Sequence, residues 1–179
     1  MKILLFGNVG CGKSTISSEI INSYNQFRLL NIDNFRRKFG DGSMSKEKLA
    51  KEKFVNEIDL KYSNQIIECS GLGDTGEMVF EKLSKSNDIK IVFLLLADSA
   101  ICIQRLTNRI WDIPYPDKTS NVYKLIEKQE LIYQTNSLER KWGNLNNTIY
   151  ISAINNTNDD FKNNVQKIKT LINETERNY

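Results

Sequence analysis

Apolar residues recur along the chain in two alternating rhythms. Lys2–Phe6 (KILLF) is a short apolar run stopped by Gly7, which predicts a strand. Lys13 to about Tyr24 carries Ile16, Ile20 and Ile21 at helical spacing. Arg28–Ile32 (RLLNI) predicts a second strand ending at Asp33, Gly40–Ser43 a turn, and Ser45 to about Lys61 a helix carrying Leu49, Phe54, Ile58 and Leu60. Gln65–Cys69 (QIIEC) predicts a third strand, and Thr75–Leu83 a helix after the loop Ser70–Asp74. Ile89–Leu96 (IKIVFLLL) is the most apolar stretch and predicts a strand buried on both faces. Ser99–Arg109 predicts a helix with Ile103 and Leu106 inward. Trp111–Lys118 (WDIPYPDK) holds both prolines of the chain and must be irregular. Ser120 to about Trp142 reads as one long polar-faced helix, and Thr148–Ala153 as a fifth strand. Thr157 and Asp160 have capping-box spacing and open a last helix through Ile172.

Strands alternating with helices predict one α/β domain spanning 1–179, with a largely parallel five-stranded sheet and helices on both faces. The glycines sharpen this. Eight of the nine fall in three groups, at 7, 10 and 12, at 40 and 42, and at 71, 73 and 76. Each group lies after, or within one loop of, the C-terminal end of a predicted strand, the edge where open α/β sheets bind ligands. The opposite-edge loop Ser84–Asp88 has none.

One of those groups carries chemistry. Gly7-Asn8-Val9-Gly10-Cys11-Gly12-Lys13-Ser14 is GxxxxGK[ST], placed between a predicted strand and a predicted helix. Glycines let such a loop curl with its amides inward, and those amides and the helix N-terminus stabilise an anion. Lys13 would reach the β- and γ-phosphates, and the Ser14 hydroxyl would coordinate Mg²⁺. The expected ligand is ATP with Mg²⁺, held by Gly7, Asn8, Val9, Gly10, Cys11, Gly12, Lys13, Ser14 and Thr15. The guanine motif NKxD is missing, and Ile66-Ile67-Glu68 is a short version of the apolar run that precedes the acid in motor ATPases.

Composition changes the picture only at its edges. The 179 residues carry 25 basic and 22 acidic side chains, a net charge of +3 too small to imply nucleic-acid binding. The chain has no histidine, so any proton transfer falls to carboxylate, Lys, Tyr or water. Cys11, Cys69 and Cys102 form no CxxC pair and read as buried thiols. The N-terminal apolar run is too short for a signal peptide or a membrane span, so a soluble cytoplasmic protein without membrane partners is expected.

With the P-loop in place, the chain resembles the P-loop kinases, in particular the compact group of polynucleotide 5′-kinases, zeta-type toxins and small-molecule kinases. Beyond the P-loop, three features carry the resemblance: Asp33 and Arg36 as a D-x-x-R element after the second strand, Arg105 and Arg109 ahead of the segment Ile113–Pro116 as a lid over about 105–124, and Ile149–Ala153 running into Ile154–Thr157 as the strand and loop beside adenine. The resemblance implies a three-layer P-loop domain with a short lid and an ATP-dependent phosphotransferase.

Asp33, at the tip of a second strand expected next to the P-loop strand, is the candidate general base; a helix cap is the alternative role. Arg36, three residues on, would hold an anionic substrate or be a solvated charge. Arg105 and Arg109, one helical turn apart, would fold over the γ-phosphate or form a surface face. Glu68 would orient the Mg²⁺ water shell, bind acceptor hydroxyls or cap a helix, and Tyr115 would line the acceptor pocket or pin the lid. Asn155 and Thr157 would approach adenine, with capping the firmer role for Thr157. Lys13, Asp33, Arg105 and Arg109 thus form the catalytic set, and Arg36, Glu68 and Tyr115 the substrate set. A long groove for nucleic acid would need more basic and aromatic residues than the chain has, which favours a small acceptor. An ATP-binding regulatory module, a toxin-like kinase of a sugar nucleotide and a nucleic-acid 5′-end kinase stay open at this level.

Overall fold

The protein is described by a computed structural model covering residues 1–58, 64–115 and 120–178. Five strands, β1 (Lys2–Gly7), β2 (Arg28–Asn31), β3 (Gln65–Glu68), β4 (Lys90–Leu96) and β5 (Thr148–Ile154), form one sheet in the order β2-β3-β1-β4-β5. Every neighbouring pair is parallel. Eight helices are described: α1 (Lys13–Ser23), α2 (Ile32–Phe39), α3 (Met44–Asn56), α4 (Gly73–Leu83), α5 (Ser99–Thr107), α6 (Ser120–Tyr133), α7 (Ser137–Trp142) and α8 (Asn158–Asn178).

The period-two pattern of the strands builds two cores. Ile3, Leu5, Ile66, Ile91, Phe93 and Leu95 face α1, α5, α8 and the start of α6. Leu4, Phe6, Ile67, Val92 and Leu94 face α3, α4, α7 and Tyr133 at the end of α6. Strands buried on both faces read as unbroken apolar runs, which is why KILLF and IVFLLL stand out. On the second face Trp142 is fully buried, and its ring meets Phe6 edge-on at 5.0 Å and Phe80 at 5.1 Å. The three-layer α/β architecture is therefore as expected. Among the described residues no helix is long and apolar enough to cross a membrane.

Several local expectations are corrected. The second strand stops at Asn31, whose side chain accepts the Asp33 amide at 2.7 Å and so caps α2, an unexpected helix. β3 separates β2 from the P-loop strand, so Asp33 is not on the neighbouring strand. α5 ends at Thr107, which leaves Arg109 beyond the helix and off the face that carries Arg105. The long helix expected over 120–142 is two, broken where Asn136 takes the left-handed conformation (φ 55). The lid expected over 105–124 is therefore helical at its start and irregular over 108–115, and α6 begins at Ser120. Of the expected helix 45–61, Asp59, Leu60 and Lys61 lie outside the described residues, as do residues 116–119 of the lid. α8 carries its capping box as expected, Asp160 N–H donating to Thr157 Oγ1 at 3.1 Å and Thr157 N–H to Asp160 Oδ2 at 2.9 Å, but runs on to Asn178.

α2 and α3 are clamped by a charge cluster. Arg36 on α2 donates to both carboxylate oxygens of Glu47 on α3, the closest contact being 2.7 Å, and to Asp33 at 3.0 Å. The Glu47 side chain is 1% exposed. Without Glu47, Arg36 would lose its two-oxygen partner and keep only the Asp33 contact of this cluster. Glu47→Ala is therefore expected to lower the unfolding free energy by about 3 kcal/mol in urea titration. A loss below about 1 kcal/mol, the range of exposed pairs, would show that the clamp does not hold α2 to α3.

Candidate active site

A cavity of about 690 Å³ opens at the C-terminal edge of the sheet. Its walls come from the loop after β1, from α1, α2, α5, α6 and the ends of β2 and β3, and from the segment after β5.

The loop 7–14 forms the floor. Gly12 has φ 100 and is the N-cap of α1, with no side-chain acceptor of its own and no acid in the first turn of the helix. The first amides of α1 are thus left to whatever fills the cavity, which favours an anion. A Cβ on Gly12 would stand 2.5 Å from Asn155 Nδ2, and one on Gly10 2.6 Å from the Cys102 carbonyl oxygen. Glycine is thus needed at both positions for packing as well as for φ. Asn155, buried after β5, donates to the Cys11 carbonyl at 2.7 Å, and Arg105 donates to the Gly10 carbonyl at 3.3 Å and to the Asn156 carbonyl at 3.0 Å. Asn8 turns its amide away from the cavity and donates to the Ile126 carbonyl of α6 at 2.7 Å.

Lys13 folds back over the loop, donating to the carbonyls of Gly7 at 2.9 Å and Asn8 at 2.7 Å. Burial disfavours its ammonium, but Cys11, Glu68 and Asp33 around it win, and its pKa lies above the ordinary value. The Cys11 thiol is fully buried, and burial pushes its pKa up, so it is inert as a nucleophile at neutral pH. Burial pushes Cys69 and Cys102 up to about 12.

Glu68, at the end of β3, lies beside the P-loop strand. It accepts the Ser14 hydroxyl at 2.6 Å and the Ser17 hydroxyl at 3.1 Å. The pair of Ser14 and Glu68 puts hard oxygen donors at one spot beside Lys13. No cluster of three or more His, Cys, Asp or Glu suited to a metal exists among the described residues. Mg²⁺ fits such a place, since it takes one or two protein oxygens and completes its shell with phosphate oxygens and water.

Asp33, Arg36 and Tyr115 line the same cavity, Asp33 from the first turn of α2. The Arg36 guanidinium carbon is 5.9 Å from the Tyr115 ring centroid. Arg37 donates to both carboxylate oxygens of Asp112, at 2.8 and 3.0 Å, and ties the irregular segment to α2. Arg109 also lines the cavity, reaching it from beyond α5. The candidate set of Lys13, Ser14, Asp33, Arg36, Glu68, Arg105, Arg109 and Tyr115 therefore meets in one space. Sequence reasoning missed Glu47, Gln129 and the two-sided use of Glu68. An acid one turn into a helix and a glutamine on a polar-faced helix give no sequence signal of burial.

No protein-family model matches the chain, and no curated protein sequence does. Solved structures do. The chain is similar to a shikimate kinase from Acinetobacter baumannii in complex with shikimate (17% identity, TM-score 0.64, 97% of this chain and 93% of that one). It is similar to a gluconokinase from Sinorhizobium meliloti 1021 (11%, 0.59, 97% and 96%). It is similar, too, to a deoxyadenosine kinase from M. mycoides with bound dATP (16%, 0.59, 97% and 100%). At these identities the likeness establishes the fold: a single α/β domain of the kind seen in small P-loop kinases.

Proposed function

We propose that the protein is an ATP- and Mg²⁺-dependent phosphotransferase that moves the γ-phosphate of ATP to a small-molecule, nucleoside or nucleotide acceptor, in the compact P-loop kinase group that includes polynucleotide kinases and zeta-type toxins. The observation that carries this reading is the shared cavity: the P-loop with Lys13 and Ser14 and the carboxylate of Asp33 line one space. A P-loop alone binds nucleotide; a carboxylate across the cavity gives an acceptor hydroxyl somewhere to send its proton.

In this reading the amides of residues 7–15 cradle the phosphates. Lys13 leaves the Gly7 and Asn8 carbonyls for the β- and γ-phosphates. Ser14 would ligate Mg²⁺, and Glu68, now the acceptor of its hydroxyl, would hold the metal's water shell. When bound, the metal would supply charge neutralisation for the phosphates during transfer. Asp33 accepts the proton of the acceptor hydroxyl as its oxygen attacks the γ-phosphorus, and the bond from that phosphorus to the ADP oxygen breaks. Arg36, donating to Asp33 at 3.0 Å, holds that carboxylate in place. Arg105 and Arg109 stabilise charge on the transferred group, and Tyr115 closes the acceptor side. Asn155 fixes the loop from beneath the adenine side. The neighbours' names add support: a shikimate kinase, a gluconokinase and a deoxyadenosine kinase are kinases of small molecules or nucleosides.

Two substitutions test the assignment. Asp33→Asn is expected to keep ATP affinity, measured with a fluorescent ATP analogue, and to slow acceptor phosphorylation by about 10²- to 10⁴-fold. Transfer at the wild-type rate in that variant would remove Asp33 from the chemistry. Ser14→Ala is expected to raise the Mg²⁺ concentration for half-maximal turnover by about tenfold or more, because a direct ligand is lost. An unshifted Mg²⁺ titration would place the metal elsewhere.

A further inference from the structure

One buried polar atom on the cavity wall has no partner. α6 is pinned by three contacts: Ile126 accepts from Asn8 of the P-loop at 2.7 Å, Glu130 accepts the Ser99 amide at 3.2 Å, and Tyr133 donates to the Ser70 carbonyl at 2.8 Å. Gln129 lies among these positions, is 9% exposed and lines the cavity. Its side-chain oxygen Oε1 makes no hydrogen bond. Three other buried side-chain atoms among the described residues share that condition, on Gln65, Trp111 and Trp142, and none of those residues lines the cavity. Leaving a buried carbonyl unpaired is costly, and protein interiors rarely tolerate it without a reason. A donor brought by an occupant of the cavity would pair it.

The charges narrow what that occupant is. Lys13 and Arg105 are bonded to P-loop carbonyls, on the nucleotide side. Arg36, on the acceptor side, is already matched by two carboxylates, Asp33 and Glu47. Asp33 and Glu68 themselves line the cavity. A negatively charged acceptor would meet these carboxylates with the Arg36 guanidinium already neutralised, while Arg109, also on the wall, serves the transferred phosphate in the reading above. The same wall also carries Leu125, one helical turn before Gln129, and the neutral polar residues Ser70, Thr75 and Tyr115.

We propose that Gln129 is a specificity residue and that the acceptor is uncharged, carrying a second O–H or N–H that donates to Gln129 Oε1 besides the hydroxyl that reacts. Nucleosides and free sugars share this chemistry. The inference rests on the phosphotransferase reading for the existence of an acceptor.

The test is calorimetric titration of the protein loaded with Mg²⁺ and a non-hydrolysable ATP analogue. The arms are uncharged nucleosides, uncharged sugars, nucleoside 5′-monophosphates and sugar acids. Binding in one of the first two arms, at least about tenfold tighter than its charged counterpart, is expected, and the arm that binds identifies the source. Gln129→Met, close in shape but without the oxygen, is expected to weaken that binding by about three- to tenfold, the value of one neutral hydrogen bond. Its ligand-free melting temperature should be unchanged or higher, since the lost oxygen had no partner. Tighter binding of the charged arms, no binding in any arm, unaltered affinity in Gln129→Met, or a lowered melting temperature with affinity retained would overturn the assignment. The wild-type comparison decides even if the variant does not fold. ADP release with the same panel separates the two claims. Binding of an uncharged ligand without ADP would contradict phosphotransfer and keep Gln129 in place, whereas transfer to charged acceptors alone would do the reverse.

Discussion

The site depends on how the carbonyls of the loop 7–14 are occupied. Gly7 and Asn8 give theirs to Lys13, Gly10 to Arg105 and Cys11 to Asn155. These donors come from α1, α5 and the segment after β5, so the loop is held from several elements at once. A peptide unit whose oxygen is held to one side presents its N–H to the other. The loop is therefore curled without a ligand; in the proposed reading Lys13 would turn from the Gly7 and Asn8 carbonyls to the phosphates, while the bonds from Asn155 and Arg105 keep the rest of the curl. The same bonds explain the glycines: where Asn155 and Cys102 crowd the loop, a Cβ would collide.

Glu68 carries this order into the rest of the sheet. Because β3 lies between β1 and β2, its last residue stands where it can accept from both Ser14 and Ser17 on α1. β2 then delivers Asp33 one strand further out, on the first turn of α2, with Arg36 and Glu47 behind it. The cavity is thus graded. The side at the loop 7–14 carries amides, Lys13, Arg105 and Glu68, and the side at α2 carries Asp33, the matched Arg36 and neutral polar groups. In the proposed reading such a gradient would orient a triphosphate and leave the other end to a hydroxyl acceptor.

How much of this was legible in the sequence follows from the range of each signal. The P-loop, the five strands and the layer order are local or periodic, so GNVGCGKS and IKIVFLLL announce them directly. The capping box of α8 was equally plain, because its two partners are three residues apart. The sheet order was not legible, and Asp33 was placed beside the P-loop strand when β3 intervenes. α2 was missed although Ile32, Phe35 and Phe39 recur at helical spacing, because the segment is only eight residues long and Ile32 reads equally well as the end of the apolar strand RLLNI. Arg109 lost its place on α5 because a helix end is set by the Asn108 and Arg109 backbone and not by the spacing of arginines. Glu47 and Gln129 were invisible because burial of a polar residue depends on what packs over it, in these cases α2 and the β1 and β3 loops.

The central claim is transfer of phosphate across the space between the P-loop and Asp33. Phosphorus-31 NMR of the wild-type protein with Mg²⁺ and ATP, with and without mixed nucleosides and sugars, tests it most directly. The account predicts that the γ-phosphate signal gives way to a phosphomonoester resonance, with ADP formed in equal amount, only when acceptor is present. Inorganic phosphate alone, formed at the same rate without acceptor, or an ATP spectrum that does not change, would contradict it.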